Sequence, residues 1–256
     1  MEIEYYINTI NTSLGVLELY VADNMCNTFI YPEFLLKRYS SIPCLDDPGI
    51  INVLDVGCGA GPFCIFWGKL GKRVVGIDIN PIAIECSKRN IEKYSLQDKV
   101  IVRQEGIESF QSDILFDLIV CNPPIGDDSF MRKNISSEYN RLNDKIRRNI
   151  IDAEVEDFLT NCWKNSDGKD VIDYIFERAG SLLRQQGKIV FVCGDDFVEG
   201  DSLICDKASV YSSFKVMLKQ KISEHLRIED SGEIFECDKK YNLLLFEYGN
   251  NLNLPT

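Results

Sequence analysis

Three short stretches of this chain carry residue types whose spacing could do chemistry. The first is Val53-Leu54-Asp55-Val56-Gly57-Cys58-Gly59-Ala60-Gly61-Pro62, where three alternate glycines follow an apolar run containing one acid. Glycine admits positive φ and lets the backbone approach a ligand with no Cβ in the way. The second is Asp78, which ends another apolar run roughly 20 residues after the first glycine. That is the distance at which an acid meets ribose hydroxyls in nucleotide-binding α/β folds. The third is Asn122-Pro123-Pro124-Ile125. Its prolines stop a strand and fix the backbone. The Asn122 side chain and the neighbouring backbone carbonyl can then both accept hydrogen bonds from one planar NH2 group.

These residues need strands and helices to hold them. Ile51 to Val56 reads as a buried strand, and the helix after the glycines places Phe63, Phe66 and Leu70 on one face. Further strands are expected over Lys72 to Ile77, Lys99 to Arg103, Leu115 to Cys121 and Lys188 to Cys193. Asn80-Pro81 is a helix start, with Asn as N-cap and Pro at the first helical position. Val171, Ile172, Ile175, Phe176, Ala179, Leu182 and Leu183 mark an amphipathic helix, with Gln186-Gly187 expected to cap it. Tyr241 to Tyr248 reads as a final strand. Ile30 and Tyr31 precede Pro32 and are expected to be extended, with a helix over Glu33 to Tyr39. Residues 1–50 otherwise show no clean period. Phe197 to Ile204 reads as loop, Val210 to Leu218 as strand or helix, and Asp113 and Asp117 as solvated turn acids.

Taken together, the glycine loop, Asp55 before it and Asp78 after it resemble the class I S-adenosylmethionine-dependent methyltransferases. Dinucleotide dehydrogenases space their glycines differently, and here position 62 is not glycine. Asn122-Pro123-Pro124 resembles the motif of N-methyltransferases that act on exocyclic base amines or glutamine amides. The position after the prolines is usually aromatic in that group and is Ile125 here. The extended piece before Pro32, then Trp163, Asp167-Gly168 and the helix and strand that follow, resemble the release-factor glutamine methyltransferase group within the "methyltransferase small" families.

The resemblance implies an α/β Rossmann-like fold with a seven-stranded, mostly parallel sheet, an antiparallel final strand and helices on both faces. It implies S-adenosyl-L-methionine as cofactor, held by Asp55, Gly57, Cys58, Gly59, Gly61, Asp78, Ile79, Glu105, Gly106 and Asn122. Asn122, Pro123 and Pro124 are then the catalytic residues, and no metal is required. The expected acceptor is a protein glutamine-type amide. The alternatives are an RNA base amine, a small molecule, or a non-enzymatic binding module on the same fold.

Composition sets the remaining bounds. The 256 residues suffice for one substantial core, read as an N-terminal lid over 1–48 and a catalytic domain over 49–256 with an insertion at about 127–168. Net charge is −12, which disfavours non-specific RNA binding, although Arg132, Lys133, Arg141, Lys145, Arg147 and Arg148 cluster in the insertion. No apolar run approaches the ~20 residues of a membrane helix. The N-terminus Met1-Glu2-Ile3-Glu4 lacks the basic start of a signal peptide, so a soluble cytoplasmic protein is expected. The ten cysteines form no C-x-x-C pair and read as buried free thiols. His225 is the only histidine, which leaves no multi-histidine metal site, and it is expected at the surface.

Overall fold

The strand that the glycine loop follows lies at the centre of the sheet. The computed structural model describes residues 4–22, 30–123, 167, 169–194, 200–230 and 233–249. Within them nine strands run in chain order: β1 Tyr5–Thr12, β2 Gly15–Ala22, β3 Asn52–Val56, β4 Arg73–Asp78, β5 Val100–Gln104, β6 Phe116–Cys121, β7 Leu183–Gly194, β8 Phe214–Asp230 and β9 Glu233–Tyr248. Among the described residues five α-helices accompany them: α1 Ile30–Arg38, α2 Pro62–Lys69, α3 Pro81–Lys93, α4 Val171–Leu182 and α5 Gly200–Ser209. The main sheet has the order β5-β4-β3-β6-β7-β9-β8. β3 to β7 are parallel, and β9 is antiparallel to both β7 and β8. This is an α/β Rossmann-like sheet, mostly parallel with antiparallel terminal strands.

Both faces of the sheet are covered, which is why β3 is buried along its whole length. Val53, Leu118, Val120, Val190 and Val192 pack on one side with helices α1, α2 and α3 and the β1–β2 hairpin. Leu54, Val56, Ile119, Phe191 and Phe246 pack on the other with α4 and α5. The alternation along each strand is the period-2 geometry of a pleated chain. Helix α4 starts at a capping box, in which Asp170 accepts from the N–H of Ile172 and of Asp173 while Asp173 accepts from the Asp170 N–H.

Several expectations are corrected here. Residues 5–22 form an antiparallel hairpin rather than an aperiodic segment, closed by a turn at Ser13-Leu14. Ile30 and Tyr31 are helical, not extended, because α1 begins before Pro32. First-turn N–H groups have no intrahelical partner, so a proline there breaks no bond. The stretch read as loop from Phe197 onward contains α5, and the ambiguous Val210 to Leu218 is a turn followed by β8. Gln186-Gly187 does not cap α4: the helix ends at Leu182, and Gln186, at φ 64°, lies in a bulged part of β7. Trp163 and nearly all of the 127–168 insertion lie outside the described residues, as do Pro124 and Ile125; the His225 side chain is likewise not described.

Asp117 is also not a solvated turn acid. Its carboxylate accepts from the N–H of Ile51 at 2.9 Å and of Asn52 at 2.8 Å, and pairs with Arg184 at 3.1 Å. It therefore fixes the start of β3 from the neighbouring β6. Asp117→Ala should cost about 2–3 kcal/mol, the loss of charge-assisted bonds at a part-buried carboxylate. A urea midpoint unchanged from the parent would contradict this. Cys44, Cys58, Cys64, Cys86, Cys121, Cys193 and Cys205 are free thiols, and all of these but Cys44 and Cys205 are buried. No helix among the described residues is long and apolar enough to cross a membrane.

Candidate active site

Parallel register brings the three motifs into one row. Val56 of β3 pairs with Ile77 of β4 and with Cys121 of β6. The next residue on each strand is Gly57, Asp78 and Asn122, so all three stand at the carboxyl edge of three adjacent strands. With strands about 4.8 Å apart, Asp78 and Asn122 lie about 10 Å from one another with the glycine loop between them. Ligands in open α/β sheets bind outside this edge.

The glycine loop turns over the end of β4. The N–H groups of Gly57 and Cys58 both donate to the Ile77 carbonyl, at 2.9 and 3.0 Å, and the Gly61 N–H donates back to the Cys58 carbonyl at 2.8 Å. Gly57 and Gly59 have φ of 71° and 55°, and a Cβ on either would project into open space. A ligand can therefore approach this backbone closely. Gly61 serves packing instead: at φ 82° it precedes α2, and a Cβ there would sit 3.0 Å from the Ser87 hydroxyl oxygen.

Asp78 is tied to the loop as well as to its own turn. Oδ2 accepts from the Gly59 N–H and Oδ1 from the Asn80 N–H, both at 2.9 Å. Each carboxylate oxygen keeps a lone pair for a further donor. Burial lifts this carboxyl above its usual range, opposed by the two backbone donors. Next to it the Ile79 side chain is 48% exposed, an apolar surface beside a polar anchor. Asn80 caps α3 by accepting from the Ile82 N–H at 2.9 Å, as its position before Pro81 suggests.

Asp55 lies under the loop and is fully buried. Oδ2 accepts from the Cys64 thiol at 3.2 Å, whereas Oδ1 has no hydrogen-bond partner among the described residues. Burial pushes its pKa from 3.8 up to about 7. Cys64 stays a neutral thiol, raised by its bond to Cys58, by burial and by the Asp55 charge. Asp55 thus holds more protons folded than unfolded between about pH 4 and pH 7, so stability should fall as pH rises through that window and level off above it. Asp55→Asn should flatten the slope. The same fall in urea midpoint from pH 4 to 7 in the variant would refute this source.

Glu105 is half-buried just after β5, and Gly106 accepts from the N–H of Ser109 and of Phe110. Arg178 of α4 holds this loop from below, donating to the carbonyls of Ile107 at 3.1 Å, Glu108 at 2.6 Å and Phe110 at 2.5 Å. Asn122 is half-buried and Pro123 buried. Sequence reasoning overlooked Arg178, Ser87 and Asn90, although Ser87 and Asn90 are polar residues on the buried stripe of α3. Ser87 donates to the Gly59 carbonyl at 2.7 Å. Among the described residues no group of three or more His, Cys, Asp or Glu could hold a metal.

A ribonucleoside with an amino-acid tail fits these features. Asp78 has free acceptors for hydroxyls, the glycine backbone is open, and Asp55 leaves a buried acceptor unpaired beneath it. The strand order, the glycine loop and the acid ending β4 define a class I S-adenosylmethionine-dependent methyltransferase domain. Within it, residues 41–145 match the Methyltransferase small domain family. The chain is 22% identical over 245 residues to the tRNA1(Val) (adenine(37)-N6)-methyltransferase of Haemophilus influenzae, covering 86% of this chain and 95% of that one. It is 43% identical over 76 residues to the ribosomal protein L11 methyltransferase of Thermosipho africanus, covering 29% and 28% of the two chains. The chain spans about a third or less of the first curated relatives it matches. In fold it is similar to the T. thermophilus 16S rRNA N2 G1207 methyltransferase in complex with AdoMet and guanosine, with a TM-score of 0.54 at 16% identity, covering 97% of this chain and 51% of that one.

Proposed function

We propose that this protein is an S-adenosylmethionine-dependent N-methyltransferase whose acceptor is a planar NH2 group, the exocyclic amine of an RNA base. The observation that carries the reading is the single row of Gly57, Asp78 and Asn122 at the carboxyl edge of the sheet. S-adenosylmethionine supplies a methyl group activated by its sulfonium. In this reading Asp78 binds the ribose hydroxyls, with Ile79, Glu105 and Gly106 around the base. The Gly57 to Gly61 backbone, with Cys58 beneath it, admits the amino-acid part, and Asp55 organises that loop. Asn122 and the Pro123 carbonyl orient the acceptor NH2, while Pro123 and Pro124 hold that turn rigid. An exocyclic amine is a weak nucleophile because its lone pair is delocalised into the ring. Two preorganised acceptors favour the positive charge that develops on nitrogen as the N–CH3 bond forms and the S–CH3 bond breaks to leave a neutral thioether. The extra proton on nitrogen then passes to water, and alignment of the reacting atoms supplies the rest.

The end-to-end similarity to a tRNA adenine N6-methyltransferase supports an RNA base over a glutamine amide. Residues 1–48 are read as a cap on this site. A protein amide is the second reading, favoured by the net charge of −12 and by the local match to a ribosomal protein methyltransferase. Tritium transfer from labelled cofactor decides between them. Label in the RNA fraction of a lysate, lost on ribonuclease treatment, supports the base amine. Label that survives ribonuclease and is lost on protease treatment supports the protein amide.

A further inference from the structure

Helix α3 acts toward the N-terminal hairpin as a substitute strand. Tyr94 accepts from the Glu18 N–H at 2.8 Å, and its hydroxyl lies 3.2 Å from the Glu18 carbonyl. One helical turn earlier, Asn90 accepts from the Tyr20 N–H at 2.7 Å and donates to the Tyr20 carbonyl at 2.9 Å. A further turn back, the Cys86 sulfur meets the backbone N–H of Ala22. Three side chains four apart, two on α3 and the third on its C-cap residue Tyr94, thus meet three residues two apart on the edge of β2. The match follows from geometry. Four helical residues rise about 6 Å and two strand residues about 6.6–6.8 Å, and alternate residues of a strand point their main-chain groups to the same edge.

Asn90 differs from the other two because its remaining N–H leaves the hairpin. Nδ2 also donates to the carbonyl of Ala60 at 2.8 Å, within the glycine loop between Gly59 and Gly61. Asn90 is fully buried, and its one oxygen and both N–H donors are used. One side chain therefore spans two backbone segments separated by 40 residues in sequence, from Tyr20 to Ala60. A carbonyl left without its donor here would be a buried unsatisfied group.

We infer that Asn90 is a positioning residue that couples docking of the β1–β2 hairpin to the conformation of the cofactor loop, so that each stabilises the other. This rests on the reading of that loop as the S-adenosylmethionine site. Coupling of binding free energies is reciprocal: a ligand that orders Gly59-Ala60-Gly61 orders Ala60, hence Asn90, hence Tyr20. The hairpin thereby reports on cofactor occupancy through Asn90.

The test is amide hydrogen exchange of the full chain with and without S-adenosylmethionine, alongside calorimetric affinity. In the parent protein the cofactor should slow exchange at Glu18 to Ala22 at least fivefold. In Asn90→Ala that protection should vanish, and affinity should fall about tenfold, the size of one buried hydrogen bond lost. Tyr94→Phe removes only the hydroxyl at Glu18. It should raise exchange there in the free protein yet keep the cofactor-induced protection at Tyr20, which a merely structural role for α3 does not predict. Cofactor binding to the parent with no change at Glu18 to Ala22 overturns the coupling, whether or not the Asn90 variant folds. So does an Asn90→Ala protein that keeps both protection and affinity. Absence of cofactor binding to the parent overturns the site assignment instead, and the coupling with it.

Discussion

Asn122→Ala should lower methyl transfer by about 10²–10³-fold while leaving S-adenosylmethionine affinity nearly unchanged. Removing one preorganised polar group that meets developing charge has an effect of this size. The division between turnover and affinity follows from position. Asn122 stands at the end of β6, one strand from the glycine loop and two from Asp78. It can therefore meet the acceptor nitrogen without holding the cofactor. An interaction stronger in the transition state than in the ground state lowers turnover more than binding. Asn122→Asp keeps an acceptor of the same shape and should retain more activity than the alanine variant. Parent-like single-turnover rates in both variants would reduce the Asn-Pro-Pro turn to a structural element and turn attention to an O-, S- or C-directed acceptor.

Asp78→Ala is expected to weaken S-adenosylmethionine binding by about ten- to a hundredfold. A lost charge-assisted hydrogen bond is worth roughly 1.5–3 kcal/mol. The geometry sharpens the expectation, because Asp78 also accepts from the Gly59 N–H and so braces the loop proposed to receive the cofactor. The two contributions can be separated by comparison with Asp78→Asn, which keeps a neutral carbonyl acceptor and should lose less affinity. The fold should survive in both, since the core around Ile77 is untouched. Titration calorimetry reads the result, and wild-type affinity in the alanine variant would confine Asp78 to its turn.

The sequence by itself determined the elements whose information is local. The β3–loop–α2 unit was legible because an apolar run, alternate glycines and a helical stripe follow one another within some 20 residues of chain. Asp78 was legible by spacing and the final strand by its continuous apolar run. β3, β4, β5 and β6 are legible to within one residue, but β7 begins at Leu183 rather than Lys188, where a bulge at Gln186 hides the pairing with Phe116, β9 begins at Glu233 rather than Tyr241, and β1, β2 and β8 have no clear signal. The order of the sheet followed only from the resemblance, not from any residue pattern.

Tertiary structure alone decided the rest. The hairpin alternates Leu17, Leu19 and Val21 inward, yet β1 exposes Tyr6 and Ile7, so half of its pattern points to solvent and no clean period emerges. Its outer edge is satisfied by Asn90 and Tyr94, some 70 residues further along the chain, and nothing local to residues 15–22 announces them. Asp117 reads as a turn acid until β6 is laid beside β3, when its carboxylate meets two backbone N–H groups at the start of that strand. Arg178 looks like an ordinary helix-surface cation until the loop after β5 brings three carbonyls to it. In each case a polar side chain is matched to backbone groups distant in sequence. Hydrophobic period and motif spacing encode which residues are buried; which buried polar group meets which orphaned backbone group is set only when the layers pack.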